Sequence, residues 1–463
     1  MFAVALAVYL LTLFAASFYF ARRAPGLEEF VLARRSITLL PLLFTTWVAN
    51  FGGGALVGWT GGFYQYGLDW WWLPLGFLLA LVLANRFAVG KIRESEQFTL
   101  PDLMGLRYGN RLRLPSTALV ILIGTLAMGF QILAFAGVLN AVAGIPLPAG
   151  MALAALTFVG VTAFGGLSGI VLTDLIQGSL ILVGLLLATG FVYWQVGGFS
   201  QLWLGLPSSH THLQEFTRSG RAFGDAFAVF GAIATSQVLF QKVMAARSVQ
   251  VAKRMMYWLI PTFLATYLML WLLGSSAHVL LGSHLRPEVV IGQLIKERLP
   301  SSLALILLAT LLGVITTSAN AILLGVGSNF ARDVYQPVVR RRNWPDRSVL
   351  VARLAILSVG TIALLTALWV ADIIRMMLVC FWVAGVAFLV PLYGGYVWRR
   401  GTPEAAGASM IVGVLGVVLS PVLVSPATMH PTVVGFLLSL IVYVAVGLRT
   451  AGNRSSSAHE RRT

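Results

Sequence analysis

Apolar runs, each near the length of a membrane-crossing helix, follow one another along this chain. They occupy about 2–20, 37–60, 70–90, 116–143, 146–165, 167–195, 222–245, 255–281, 301–331, 349–371, 372–397, 405–424 and 432–448. A spanning helix needs roughly 20 predominantly apolar residues, so the pattern predicts about thirteen transmembrane helices and an all-α integral membrane protein. The runs on either side of residue 371 are joined by almost no loop. The longest polar gap, 196–221, is too short for a soluble domain. Basic residues follow the first run, at Arg22 and Arg23, and none precedes it, so it reads as a first helix rather than a signal peptide.

Polar residues interrupt four of these runs. In the second, residues 45–56, Asn50 precedes three successive glycines, Gly52 to Gly54. Each glycine weakens a helix by roughly 1 kcal/mol relative to alanine. Backbone groups freed in lipid must find partners. One reading is a helix break whose carbonyls bind a hard cation and whose amides bind an anionic group. The other is close helix packing. The ninth run clusters Thr316, Thr317, Ser318 and Asn320. Their hydroxyls, with main-chain carbonyls, make a neutral oxygen cage suited to a monovalent cation, or they bond back to their own helix. The seventh run ends with Ser236, Gln237 and Gln241, which either line a pocket or join helices. The sixth, GGLSGIVLTDLIQ at 165–177, carries Thr173, Asp174 and Gln177. An ionisable group at membrane depth faces a protein interior or a water path. Asp174 is therefore either a cation-path or gating group, or a structural partner for a helix end or basic loop.

Composition agrees with the pattern. Of 463 residues, 58% are hydrophobic and 10% charged, and mean hydropathy is +0.86. The net charge of +16 suggests nucleic acid until the charges are placed. With thirteen spans, one side of the membrane holds 26 of the 32 Lys and Arg, including those of the 86–113, 242–254 and 332–353 loops. The other side holds only Arg218, Arg221, Arg286, Lys296, Arg298 and Arg375. Basic loops stay in the cytoplasm, so the N-terminus is expected outside and the C-terminus inside, in the plasma membrane. The excess is a topology signal, with contact to anionic lipid, and nucleic acid is not an expected partner. The single cysteine, Cys380, excludes an intrachain disulfide and a cysteine metal site. His210 and His212 are close enough to clasp a metal, although an exposed loop pair is more often solvated. The chain has no GxxxxGK[ST] string, which argues against an ATP-driven pump.

Several of these segments match one family in order. Gly165, Gly166, Val171, Thr173, Asp174 and Gln177 fill a signature of the sodium/solute symporter family. Thr99, Pro101, Asp102, Arg107 and Gly109 fill a second, and Gln237, Gln241, Lys242, Ala246, Arg247 and Ser248 a third. Leu299, Pro300, Val314, Thr317, Ser318, Asp333 and Tyr335 follow, then Trp398, Arg400, Ala405, Ala406 and Ala408. The chain resembles that family from about residue 20 to 425. The resemblance implies a leucine-transporter-type fold, with five-plus-five inverted repeats, one leading helix and two trailing helices. The implied boundaries are 1–36 for the leading helix and first cytoplasmic loop, 37–195 and 222–397 for the repeats, and 196–221 for an extracellular loop. The trailing helices would take 398–448 and a cytoplasmic tail 449–463.

The resemblance also implies Na⁺ as coupling ion, held by the carbonyls of Ala49, Gly52 and Val314 and the hydroxyls of Thr317 and Ser318. Solute would be held by Phe51, Gly53, Gly54, Gln131, Gln237 and Trp382. Proline-type members carry Asp where this chain has Phe51, and sugar-type members carry Gln or Glu where it has Ala55 and Leu56. A glycine-rich break without an acidic group leaves amides for a carboxylate, which favours a small organic anion or amino acid.

The expected function is uptake of a small solute with Na⁺, without enzymatic activity or a further cofactor. Alternatives are a membrane sensor on the same fold and a proton-coupled carrier. A sensor usually has a long soluble extension, whereas little chain follows residue 448; a proton carrier needs a titrating group at its ion site, and none of the five proposed ligands titrates. One charge crossing 100 mV is worth about 2.3 kcal/mol. A tenfold Na⁺ gradient adds about 1.4 kcal/mol, so one Na⁺ sustains a solute ratio of several hundred.

Overall fold

The structure is a computed structural model that describes residues 11–15, 19, 26–213, 221–370, 373–398, 400–423 and 429–460. Most of the first predicted run lies outside the described residues, as do Arg22, Arg23, Arg218, Arg399 and the junction at 371–372. The described residues are helical apart from loops and one β-bridge, between Ile37 and Ala246.

In chain order the principal helices are α1 (Leu27–Leu32), α2 (Leu39–Phe51), α3 (Gly53–Tyr66), α4 (Trp72–Phe87), α5 (Leu100–Tyr108), α6 (Arg113–Ala143), α7 (Leu147–Val196) and α8 (Arg221–Ala234). After these come α9 (Gln237–Ala245), α10 (Val249–Leu281), α11 (Ser301–Asn329), α12 (Ser348–Val370), α13 (Ile373–Ala387), α14 (Leu389–Val397), α15 (Pro403–Leu423) and α16 (Pro431–Glu460). Among the described residues, eleven helical stretches are long and apolar enough to cross a membrane. The last ten match the fourth to thirteenth predicted runs; the first, Leu56–Phe87, joins α3 to α4 and takes in the end of the second run with the third. The second run is the broken pair α2 and α3.

Three local features shape the centre of the bundle. The first break lies at Gly52, whose φ of 10° and ψ of 161° leave the helical region; its carbonyl already accepts from Leu56 N at 3.0 Å, starting α3. The second break, between α8 and α9, lies at Thr235–Ser236. There Ser236 Oγ accepts from Leu239 N at 3.2 Å and caps α9. The carbonyl of Ala234, freed by the break, accepts from Tyr393 Oη at 2.8 Å, which meets the requirement that buried backbone groups be paired. Third, α7 kinks at Gly166, close to where its two spans, Leu147–Leu167 and Gly169–Val196, divide. The Gly166 φ of 57° and ψ of −171° suit glycine, and an added Cβ would lie 2.8 Å from the Phe30 ring.

Helix α11 is the buried axis of the bundle. It packs against α2, α6, α7 and α12. All of residues 310–329 except Ile322 are buried. A helix apolar all round, with its few hydroxyls inside, is what such a position demands.

Candidate ion and solute site

Helices α2 and α11 cross where α2 breaks, and neutral oxygens converge there. Ser318 Oγ lies 2.8 Å from the Ala49 carbonyl oxygen and 3.2 Å from that of Val48. Thr317 Oγ1 lies 3.0 Å from the Val314 carbonyl oxygen and 3.3 Å from that of Val48. Gly52 closes over this group: a Cβ on it would lie 3.0 Å from Ser318 Oγ and 2.7 Å from Gln131 Nε2. Ala49, Gly52, Val314, Thr317 and Ser318 are thus gathered from positions more than 260 residues apart. Val48 joins them, a carbonyl that the sequence did not single out. Thr316 turns away and bonds to its own helix at the Leu312 carbonyl, 2.7 Å off. Asn320 accepts from Thr162 Oγ1 of α7 at 3.0 Å.

A cavity of about 180 Å³ adjoins these oxygens, with Ala49 and Gly52 in its wall. Gln131 of α6 and Gln237 of α9 line it, with Asn50, Thr235 and Ser236. Trp59, Phe77, Phe130, Tyr267, Phe381 and Phe388 supply aromatic surface, and none of the described lining residues carries a charge. Gln237 Oε1 also accepts from Leu100 N at 2.7 Å, tying α9 to α5 at the cavity edge.

Not every expected solute residue lies on this wall. Phe51 is fully buried and stacks on Trp47, with ring centroids 6.1 Å apart, because residues four apart share a helix face. Trp382 also lies outside the cavity. Its indole donates to Asp225 Oδ1 at 2.8 Å and stands edge-on to His430. The cavity face of α13 is Met377, Cys380, Phe381 and Ala384, at helical spacing. Trp382 is the next residue round the helix from Phe381. Gly53 and Gly54 open α3 just beyond the break.

Asp174 belongs to a buried bridge. Thr45 Oγ1 donates to Asp174 Oδ2, and Lys242 Nζ donates to Thr45 Oγ1 at 2.8 Å. Lys242 Nζ stands 3.9 Å from Asp174 Oδ2, with both side chains buried. The expectation that Lys242 opens a loop is corrected here: it sits on α9, inside the bundle. Asp225 and Asp333 likewise fall within membrane-length helices, so Asp174 is not the only acidic residue there.

At the basic end of the bundle, α5 is held by a denser set. Asp102 pairs with Arg113 and, at 3.0 Å, with Arg332. Arg113 pairs with Asp333 at 2.7 Å, and Thr99 Oγ1 donates to the same carboxylate at 3.0 Å. Beside them Tyr108 donates to the Pro391 carbonyl and shares a hydrogen bond with Tyr443, and burial raises its pKa above the ordinary tyrosine range. At the opposite end His210 pairs with His278 rather than His212. Their rings lie 4.1 Å apart, and each reaches the Tyr64 carbonyl oxygen at 2.9 Å.

The sequence reading named Lys242, Asp102 and Asp333 only as motif residues and missed the burial of Lys242, the pairing of Asp102 and Asp333 through Arg113, and the aromatic wall. A lysine two to three residues inside an apolar run was the available signal for the first.

The helical bundle, its two broken helices and the polar groups collected at the breaks define a secondary transporter. The profile described as "Sodium:solute symporter family" matches residues 30–413, and the chain belongs to that family. Over 468 residues it is 24% identical to "Osmoregulated proline transporter OpuE" of Bacillus subtilis (strain 168), covering 96% of this chain and 94% of that one. Over 469 residues it is 29% identical to "Sodium/pantothenate symporter" of Escherichia coli (strain K12), covering 95% and 94%. A solved structure of a Na⁺-coupled sialic acid symporter, substrate-bound and outward-open, superposes with a TM-score of 0.83 at 17% identity, over 96% of this chain and 97% of that one. The fold is of leucine-transporter type. The protein is an integral membrane Na⁺-coupled symporter of a small solute, not an enzyme.

Proposed function

We propose that Na⁺ binds among the carbonyls of Val48, Ala49, Gly52 and Val314 and the hydroxyls of Thr317 and Ser318, and that solute binds in the adjoining cavity. The observation that carries this reading is the shared wall. Ala49 and Gly52 belong both to the oxygen cluster and to the cavity lining. An ion ordering the α2 break therefore orders the solute site as well, which is what coupling requires. The donors are neutral oxygens and none titrates, which suits Na⁺ rather than a proton.

The solute class follows from the breaks. Helices α3 and α9 begin there, and the positive ends of their dipoles favour a carboxylate. Helices α2 and α8 end there, and their carbonyl ends favour a cationic group. With an aromatic, uncharged wall, the cavity suits a small amino acid or carboxylate with an apolar body. The relatives named for proline and pantothenate transport are consistent with this class.

The breaks occupy like positions in 37–195 and 222–397, each in the first helix of its segment. This supports reading the two segments as inverted repeats, followed by trailing helices at 398–448 and a tail at 449–463. The basic end is then cytoplasmic, the N-terminus is outside, and the membrane is the plasma membrane.

The test is uptake into proteoliposomes from a panel of labelled amino acids, monocarboxylates, vitamins and sugars. Na⁺-dependent uptake of an amino acid or carboxylate is expected. Thr317→Ala with Ser318→Ala should raise the half-saturating Na⁺ concentration at least tenfold. Unchanged Na⁺ dependence in that double variant would refute the ion site.

A further inference from the structure

Among the described residues, Lys242 is the one lysine or arginine buried from solvent, at 1% exposure. Its surroundings are those of a cation site. Asp174, 0% exposed, stands 3.9 Å from the ammonium, and Thr45 Oγ1 accepts its proton at 2.8 Å. Asp174 Oδ1 is buried and has no hydrogen-bond partner, so the carboxylate retains unused acceptor capacity. One carboxylate oxygen and a hydroxyl therefore face one monovalent positive charge, and the second carboxylate oxygen is buried beside them. Thr45 lies three and four residues before Val48 and Ala49 on α2, about one helical turn from the oxygen cluster.

Three elements meet here: α2, α7 and α9. Both broken helices contribute, each through the half nearer the basic end. The backbones of the same two halves are also joined nearby, where Ile37 N donates to the Ala245 carbonyl and Arg247 N to the Ile37 carbonyl at 2.9 Å. Lys242 is thus carried on a half-helix tied to the half-helix of the ion cluster.

Charge balance decides what this site accepts. Asp174 and Lys242 sum to zero. Adding Na⁺ beside them would leave a net positive charge in a buried place, which is costly. Removing the ammonium would leave a buried carboxylate with oxygens on one side and a hydroxyl on the other, which a Na⁺ would neutralise.

We propose that Lys242 is a built-in cation. Its ammonium, bonded to Thr45 and 3.9 Å from Asp174 Oδ2, fills the place a second Na⁺ would take, and the protein therefore binds a single Na⁺ per chain. This rests on the proposed Na⁺ site at Thr317 and Ser318.

The experiment is equilibrium binding of ²²Na⁺ to the purified full chain in lipid nanodiscs, with no solute present. The wild type should bind one Na⁺, and the Thr317→Ala, Ser318→Ala variant none. Lys242→Met should bind two, doubling the saturation level, and Lys242→Met with Asp174→Asn should return to one. Two ions bound by the wild type, or a Lys242→Met variant that stays at one, would overturn the built-in cation. A wild type that binds none would instead overturn the ion-site reading on which it rests. Should Lys242→Met prove too unstable to purify without Na⁺, the readout is the rise of Tm with Na⁺ concentration for Lys242→Gln. That rise should be steeper than in the wild type, as expected for two linked ions. Equal slopes would count against the proposal.

Discussion

A buried charge is tolerated only in company, and the Asp174–Thr45–Lys242 bridge makes this measurable. Asp174→Asn retains size and leaves the Lys242 ammonium buried without a counter-charge. Breaking one side of such a pair typically costs about 3–5 kcal/mol. Replacing both partners, as in Asp174→Asn with Lys242→Met, removes the unpaired charge and should recover most of that loss. We expect the single variant to have the lower Tm and the double variant to lie near the wild type when the purified proteins are heated under the same salt. Equal losses in both would mean that the two side chains do not depend on each other. The oxygens of Thr317 and Ser318 differ in kind. They carry no net charge, so their removal should weaken ion binding while the bundle remains intact.

Breaks in helices do at the element scale what bound ions do at the residue scale: they release backbone groups and demand partners for them. At Gly52 the space is taken by Ser318 and by Gln131, so one methyl group added there presses on the ion cluster and the cavity together. Gly52→Ala should therefore raise the half-saturating concentrations of Na⁺ and solute together, by an order of magnitude or more, with normal insertion. A change in one alone would separate the two sites. Gly166 makes a different demand. Its backbone conformation is close to glycine-only territory, where another residue costs about 1–3 kcal/mol. The Phe30 ring occupies the side a Cβ would need. Gly166→Ala should lower stability by about that amount with little effect on Na⁺ affinity, as measured by thermal unfolding and ²²Na⁺ binding.

How far these elements are legible in the sequence depends on where their partners lie along the chain. Three consecutive glycines announce a break, and hydroxyls in the apolar run 313–320 announce its partner, because each is anomalous within its own segment. Trp382 misleads because an aromatic at a promising spacing does not state which face of α13 it occupies; Phe381, one residue earlier, has the cavity side. Lys242 reads as a loop residue because apolar runs fade gradually at their ends, and nothing local shows that α9 continues past it. The pairings of Asp102 with Arg332 and Thr99 with Asp333 join residues more than 200 positions apart, and they arise only where α5 meets the π-helical turn Phe330–Tyr335 that follows α11.

For the whole molecule, those long-range pairings imply a latch. Asp102, Arg113, Arg332 and Asp333 gather around the start of α5, whose Leu100 lines the cavity and bonds to Gln237. The prediction is that the cavity opens toward the basic end when α5 leaves α9, a separation that these ion pairs oppose. Arg113→Gln removes the group that bridges both carboxylates and should favour the open form. Alternating access then predicts a readable change, because the chain's single cysteine, Cys380, is in the cavity wall. In the wild type it is 3% exposed and should react slowly with a membrane-impermeant thiol reagent. In the Arg113→Gln variant, labelling from the basic side should be at least tenfold faster. Na⁺ should slow it again if the ion favours the arrangement in which α5 is latched. The reagent applied from the opposite side serves as the control and should gain nothing from the substitution. Equal acceleration from both sides would indicate general loosening, and no acceleration would mean that the pairs around Asp102 and Asp333 stabilise the fold without governing access to the cavity.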